Sequence, residues 1–266
     1  MSEYTLHCGD CLEIMPTLKS GSVDMILCDL PYGTTNCSWD SVIPFEPLWA
    51  QYKRLIKPRG AIVLFGSQPF TSALVMSNIE WFKYCWVWKK THATGQLNLN
   101  VRPMTEHEDI CVFCNGRTTY NMQLTTKPKE KIRAPTRMGL SDCYGAQREY
   151  NRTIPIDMRT PTTVLEFGSV NHGERGYHPT QKPVNLLAYL IRTYTNEGET
   201  VLDNTMGSGS TIVAAIQEGR NAIGIERDAD YFAIAQRRCE KATFQPSLFS
   251  WQEPQLQRVS MLAEEQ

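Results

Sequence analysis

Apolar residues along the chain fall into short runs rather than long stripes. Runs at 5–8, 23–29, 61–66, 84–90, 108–114, 200–203 and 221–226 are bounded by turn-forming residues, which predicts seven strands. Val23, Met25, Ile26, Leu27 and Cys28 are apolar on both faces of their strand, a pattern that suits a mainly parallel sheet covered by helices on both sides. Between most of the runs the period changes from two to about 3.6. The clearest helix is 183–196, where Leu187, Leu190, Ile191 and Tyr194 share one face behind a proline at the predicted first helical position. Further helices are expected at 45–57, 70–79, 210–218 and 229–241. Alternating strands and helices predict an α/β fold, a doubly wound, Rossmann-like sheet of about seven strands.

The pattern breaks down in residues 116–176, which are rich in Thr, Pro and Arg and hold no sustained period. This segment reads as an inserted, loop-rich module. Residues 1–115 and 177–243 then form one domain together, and 244–266 is a polar, Gln-rich tail expected to be weakly ordered or a short helix. A chain of 266 residues is long enough for one such domain plus a smaller inserted unit.

Charge sharpens this division. The whole chain carries a formal net charge of -1, which does not advertise a nucleic-acid partner. From Gly116 to Thr160, however, nine basic residues (Arg117, Lys127, Lys129, Lys131, Arg133, Arg137, Arg148, Arg152 and Arg159) face four acidic ones. The local excess is five positive charges, which reads either as a phosphate-binding surface or as a solvated face. No run approaches the ~20 apolar residues of a membrane span, and Met1-Ser2-Glu3-Tyr4 does not open a signal peptide, so a cytoplasmic protein without a membrane partner is expected. Nine scattered cysteines, an odd number, fit reduced thiols. The Cys8/Cys11 and Cys111/Cys114 pairs have zinc spacing but lie at a strand end and inside an apolar run, so no metal is expected.

Three constellations carry candidate chemistry. The first is Asp29-Leu30-Pro31-Tyr32, followed by Gly33, directly after the strand at 23–29. In an open α/β sheet ligands bind beyond the carboxyl ends of strands. There the Asp29 carboxylate and a main-chain carbonyl of Leu30 or Pro31 can accept both hydrogens of an exocyclic amino group, freeing a lone pair otherwise delocalised into the ring. Pro31 stiffens the turn and Tyr32 offers a face for stacking. Taken alone, such a turn also arises without function. The second is Asp203 followed by Gly207-Ser208-Gly209, between a strand and a helix, with Glu226 ending the next strand. Glycines permit close approach of a ligand, and an acidic side chain there accepts ribose hydroxyls. Ile212 stands where the third glycine of a dinucleotide loop belongs, which argues against a pyrophosphate-bearing ligand. The third is His178-Pro179-Thr180-Gln181-Lys182-Pro183. Thr180, Gln181 and Lys182 supply hydroxyl, amide and ammonium groups before a helix, suited to a small carboxylate or to simple capping.

Together these residues resemble the amino-methylating (N6-adenine and N4-cytosine) DNA methyltransferases, specifically the permuted beta-type group in which the catalytic tetrad precedes the cofactor glycine loop. The resemblance spans almost the whole chain except 116–176 and the tail. Departures are Leu30, where the family usually has Pro, and Asn204-Thr205, where it usually has Pro-Phe. Gly9-Asp10 looks like the family's contact with the cofactor adenine, and 178–183 like its grip on the methionine carboxylate. Trp86-Val87-Trp88-Lys89-Lys90 and Glu106-His107-Glu108-Asp109-Ile110 look like the strands flanking its specificity insert.

The resemblance implies S-adenosyl-L-methionine as cofactor, double-stranded DNA as substrate, and site-specific transfer to adenine N6 of a flipped base by direct in-line attack. Cytosine N4 is the alternative acceptor, and an RNA base or protein amide a further one. Asp at the first tetrad position favours adenine, and the absence of a Pro-Cys pair argues against attack on cytosine C5. A cofactor-free DNA-binding remnant fits poorly with an intact Asp29, Tyr32, Gly207, Gly209 and Glu226. Expected DNA contacts are Thr34, Asn36 and Trp39 after the tetrad, and Arg117, Lys129, Lys131, Arg133 and Arg137 in the target-recognition insert. A homodimer and a cognate restriction endonuclease are the partners the family suggests.

Overall fold

The structure is a computed structural model that describes residues 2–33, 40–128, 132, 154–168 and 181–244. In chain order its elements are β1 (Tyr4–Cys8), α1 (Cys11–Ile14), β2 (Val23–Cys28), α2 (Phe45–Leu55), β3 (Ile56–Gly66), α3 (Phe70–Ser77), β4 (Phe82–Thr94) and β5 (Thr105–Phe113). They continue with β6 (Thr125–Thr126), β7 (Met158–Arg159), β8 (Val164–Glu166), α4 (Val184–Tyr194), β9 (Thr200–Asp203), α5 (Ser210–Gln217), β10 (Asn221–Glu226) and α6 (Ala229–Phe244). Eight strands form one sheet in the order β1-β10-β9-β2-β3-β5-β4-β8. The five from β1 to β3 are mutually parallel, and β5 runs antiparallel to both β3 and β4.

The two-faced apolar strands have a direct physical reason. On β2, Met25 and Leu27 pack into one core with α4, α5 and α6, whereas Ile26 and Cys28 enter the other with α1, α2 and α3. On β3 the split repeats, with Ala61, Val63 and Phe65 on the first side and Ile62 and Leu64 on the second. From Met25 to Cys28 and from Gly60 to Gly66 nearly every pleat position is buried on both faces, so alternation disappears there.

The eighth strand is the departure from the seven predicted. Val164–Glu166 comes from the segment read as an insert and pairs in parallel with β4 at the sheet edge, opposite Val87, Trp88 and Lys89. The Trp88 indole N–H donates to the Phe167 carbonyl at 3.1 Å beside it. Three residues, of which only Leu165 is buried, are too short to register as a periodic pattern. β6 and β7 form a separate two-stranded pair within the same segment. β4 and β5 also run longer than predicted, because their ladder continues past the end of β3 through Lys89↔His107 to Thr94↔Thr105 in polar sequence. Pro183 precedes the helix as its N-cap rather than opening it. The tail beyond Phe244 lies outside the described residues.

This topology fixes where ligands meet the fold. The chain leaves β2 toward β3 on one side, and β9 toward β10 on the other, so the neighbouring carboxyl ends of β2 and β9 mark the point where the winding reverses. A crevice opens at such a switch point. α4 is held with its N-terminus over this rim by the buried Tyr194 hydroxyl, which accepts from Trp86 Nε1 at 2.6 Å and lies 2.6 Å from the Tyr84 hydroxyl.

Candidate active site

Asp29, Leu30, Pro31 and Tyr32 leave the end of β2 at the switch point. Leu30 is buried and anchors the turn in the core. The Tyr32 hydroxyl donates to Asp29 Oδ1 at 2.7 Å, and its ring stacks on Phe70, centroids 5.0 Å apart at 29°. One ring face is thus covered by protein. Gly33 N–H donates to Asp40 Oδ1 at 2.8 Å, closing the base of the loop that holds Thr34, Asn36 and Trp39; these three lie outside the described residues.

The facing half-site follows β9. Gly207 and Gly209 adopt φ of 51° and 81°, the left-handed region that favours glycine. At Gly209 a Cβ would also stand 3.0 Å from the Ala235 Cβ and 3.2 Å from its Cα, so the turn has no room for a side chain. Ser208 is buried, and Arg238 of α6 pins the turn through the Ser208 carbonyl at 2.7 Å and the Ser208 and Ser210 hydroxyls at 2.9 and 3.0 Å. Asp203 lies beneath this loop, 4% exposed, accepting from Thr205 N–H at 3.1 Å. Burial pushes its carboxyl up to about 7, against the pull of the Thr211 hydroxyl and the Thr205 amide.

Glu226, at the end of β10, takes Gly207 N–H on Oε2 and Asp228 N–H on Oε1, both at 2.8 Å. Burial raises its pKa while these backbone bonds lower it. Each carboxylate oxygen keeps a second lone pair, so the backbone holds the group rigid without exhausting it as an acceptor. Gly9 sits beside it directly after β1, its N–H donating to the Glu226 carbonyl at 2.9 Å, and Asp10 caps α1 by accepting from Leu12 N–H at 2.7 Å.

The two halves are stitched together by Lys182 and by residues that were not among the candidates. The Thr205 hydroxyl donates to the Asp29 carbonyl at 3.1 Å. Beneath it the Asn204 amide oxygen accepts from the Tyr52 hydroxyl at 2.6 Å and from the Cys28 thiol at 2.9 Å. Lys182 reaches in from the N-terminus of α4 and contacts Asp29 Oδ2 at 2.5 Å and Glu108 Oε2 at 3.2 Å; Glu108 Oε1 meets Lys90 Nζ at 2.5 Å. Burial raises the pKa of Asp29, only partly opposed by Lys182. For Glu108 the two lysines outweigh burial and hold it below the usual carboxylate range, and for Lys182 the two carboxylates outweigh burial and raise it. Gln181 next to Lys182 has both its amide nitrogen and oxygen buried without a partner among the described residues.

The structure therefore brings Asp29 to Tyr32, Asp10, Gln181, Lys182, Asp203, Gly207 to Gly209 and Glu226 to one rim. Arg117 is exposed and follows β5, whose carboxyl end lies at the opposite edge because β5 is antiparallel to β3. Thr180, Lys129, Lys131, Arg133 and Arg137 lie outside the described residues. Lys90, Glu108, Asn204, Thr205 and Arg238 are the additions. The signals for Lys90 and Glu108 were charged residues at the ends of otherwise apolar strands. Among the described residues no group of three or more His, Cys, Asp or Glu is placed to hold a metal ion, and no helix is long and apolar enough to cross a membrane.

A doubly wound sheet with a glycine-loop half-site and an Asp-x-Pro-Tyr half-site facing each other at the switch point defines a two-substrate α/β transferase. The family model described as DNA methylase, covering N6 and N4 amino-methyltransferases, matches residues 23–237, and the chain belongs to that family. It is 27% identical over 253 residues to the type II methyltransferase M.HpaI of Haemophilus parainfluenzae, covering 90% of this chain and 74% of that one. Identity is also 27%, over 90% of this chain and 83% of the relative, to the DNA adenine methyltransferase YhdJ of Escherichia coli strain K12. Among solved structures, the M1.HpyAVI complex with S-adenosylmethionine superposes with a TM-score of 0.59 at 25% identity, over 88% of this chain and 98% of that chain.

Proposed function

We propose that this S-adenosylmethionine-dependent DNA methyltransferase acts on the N6 amino group of adenine within a specific DNA sequence. The observation that carries the reading is the hydrogen bond from the Thr205 hydroxyl, beside the glycine loop, to the main-chain carbonyl of Asp29, which joins the tetrad directly to that loop. The residues fit the cofactor. Glu226 has lone pairs free for a ribose, Gly207 and Gly209 leave the backbone bare, and the orphaned amide of Gln181 matches the amino and carboxylate groups of a methionine moiety. When bound, the cofactor supplies an electrophilic methyl group on a sulfonium.

The protein's part is to prepare the nucleophile. Asp29 accepts one amino hydrogen and a main-chain carbonyl of Leu30 or Pro31 the other, drawing the nitrogen toward tetrahedral geometry so that its lone pair points at the glycine-loop side. Tyr32, backed by Phe70 and tethered to Asp29, presents its outer face to the base. The amino nitrogen would take the methyl group from the sulfonium, which would leave as a neutral thioether, and the surplus N6 proton would pass to a neighbouring acceptor, for which Asp29, with its raised pKa, is suited. Base and tetrad meet only if the nucleotide leaves the helix, at a cost of a few kcal/mol. The segment after Tyr32 (Thr34, Asn36, Trp39) and the basic insert (Lys129, Lys131, Arg133, Arg137) are assigned to DNA contact on their chemistry, whereas Arg117, at the opposite edge, is left out of that surface; a cognate endonuclease and a homodimer are the proposed partners.

Asp at the first tetrad position, and a relative named as an adenine methyltransferase, favour adenine over cytosine N4. The test is transfer of labelled methyl from S-adenosylmethionine to unmethylated genomic DNA followed by nucleoside mass spectrometry. N6-methyladenine is expected; N4-methylcytosine would overturn the base assignment, and label confined to RNA or protein would overturn the substrate.

A further inference from the structure

The chemistry above leaves two buried charged groups without a task. Lys90 and Glu108 come from β4 and β5, and Glu108 connects through Lys182 to the Asp29 carboxylate. The side chains of Glu108 and Lys182 are only 14% and 8% exposed. Two ammonium groups and two carboxylates cancel, as burial to this degree requires. Yet an arrangement built only to neutralise Asp29 needs one lysine, not a second pair behind it.

In the free protein Lys182 donates to Asp29 Oδ2, while Tyr32 occupies Oδ1. The target amino group is also an N–H donor and needs the same carboxylate; each oxygen keeps a second lone pair, but an ammonium 2.5 Å from Oδ2 draws off its negative charge and weakens it as an acceptor, so lysine and substrate compete for the strength of one carboxylate. We infer that Lys182 is a placeholder for the target amino group, and that Glu108, braced by Lys90, is the positioning residue that takes Lys182 over when the base arrives. The inference rests on the DNA methyltransferase reading above.

The geometry makes the exchange short. Lys182 Nζ already lies 2.5 Å from one carboxylate and 3.2 Å from the other, so rotation at the end of its stem moves it between them without any backbone shift. It remains ion-paired throughout, which avoids the penalty of an uncompensated buried charge. Glu108 is the firmer anion, held below the ordinary carboxylate range, whereas Asp29 is raised above it. The placeholder also keeps Asp29 ionised while the site waits.

The test compares the full-length wild type, Glu108→Gln, Lys182→Met and the double variant, using S-adenosylmethionine and unmethylated genomic DNA. Glu108→Gln should lower kcat/KM for DNA by about tenfold, because Lys182 then has no second seat, with cofactor affinity changed less than about threefold. In the Lys182→Met background the same substitution should change the rate by less than about twofold, since the group through which Glu108 acts is gone. Lys182→Met alone should shift the rising limb of the pH–rate profile upward, as Asp29 loses the cation that keeps it charged. Glu108→Asp, which keeps the charge but withdraws it, should lie between wild type and Glu108→Gln at an unchanged melting temperature. An equal loss from Glu108→Gln in both backgrounds, or no loss beside Lys182, overturns the exchange. So does a collapse of cofactor affinity in Glu108→Gln, which would give the pair to the cofactor instead. A wild type that binds cofactor but leaves DNA unlabelled overturns the DNA reading and this inference with it; an active wild type without coupling overturns the inference alone.

Discussion

The two halves of the rim are built on different principles. The side proposed to hold the cofactor, from β9, β10 and β1, is built largely on backbone: Gly207 and Gly209 turn where side chains cannot, and the Glu226 carboxylate is gripped by two amides. The side proposed to be catalytic, from β2, β4, β5 and the head of α4, is held by side-chain charge, Lys90–Glu108–Lys182–Asp29. Backbone turns are rigid and bind one shape, whereas an ion-pair chain can rearrange when a new donor arrives. A site that keeps its cofactor half fixed and its acceptor half adjustable suits a substrate that must be pulled out of a helix before it fits.

Damage to the catalytic side should therefore abolish chemistry while sparing cofactor binding. Asp29→Ala is expected to lower methyl transfer by about a thousandfold or more, with cofactor affinity by calorimetry within about threefold of wild type. Turnover near the wild-type rate would remove Asp29 from the centre of the mechanism. The reverse pattern is expected at the glycine turn. Gly209→Val combines a positive φ of 81° with a contact against the Ala235 backbone, so it should cost about 2–3 kcal/mol of stability and most cofactor affinity. Gly95→Ala, directly after β4, is the control, because Gly95 has φ of 94° but nothing within 4 Å. It should cost only about 1 kcal/mol and leave cofactor binding alone. Equal losses at the two glycines would show that conformational strain, not close packing, shapes the loop.

The same contrast governs what could be read from the chain. Asp29-Leu30-Pro31-Tyr32 and Gly207-Ser208-Gly209 are contiguous, and each follows an apolar strand, so local pattern was enough to place both at a sheet's carboxyl edge. The charged chain was not legible, because Asp29 is 153 residues from Lys182 and the contact exists only once α4 is docked by Trp86 and Tyr194. The role of Thr205 was hidden similarly, since at a position where the family usually has Phe its value lies in a bond to the Asp29 carbonyl. Arg117 illustrates the limit of counting charge. The direction of β5 sets which edge a residue reaches, and composition carries no direction. β8 escaped because three residues hold no period.

Asp203 separates the two halves by pH. Its carboxyl titrates near 7 in the folded protein against about 3.8 unfolded, so between these values the folded state holds a proton the unfolded state has released. Stability from this group is complete below about pH 4 and is lost as pH rises through 7, which amounts to about 2 kcal/mol between pH 5 and 7. Asp203→Asn should remove that slope. The difference in melting behaviour between variant and wild type should therefore move in the variant's favour from pH 5 to 7. A constant difference would mean that Asp203 is ionised in the folded protein at both pH values.

Among substitutions at the rim itself, the smallest effect should come from Glu226→Gln, which asks whether backbone grip alone sustains the cofactor half. The amide oxygen can replace one carboxylate oxygen as acceptor for Gly207 N–H, but the amide nitrogen is a donor and faces Asp228 N–H, so one of the two 2.8 Å bonds is lost. A ribose hydroxyl loses a charged acceptor as well. Since only the cofactor side is touched, affinity for S-adenosylmethionine should weaken about tenfold, about 1.4 kcal/mol, while kcat at saturating cofactor stays within about twofold of wild type. A comparable fall in kcat would show that strain at Glu226 travels through Gly207 and Thr205 to Asp29, and that the rigid and adjustable halves are less independent than their construction implies.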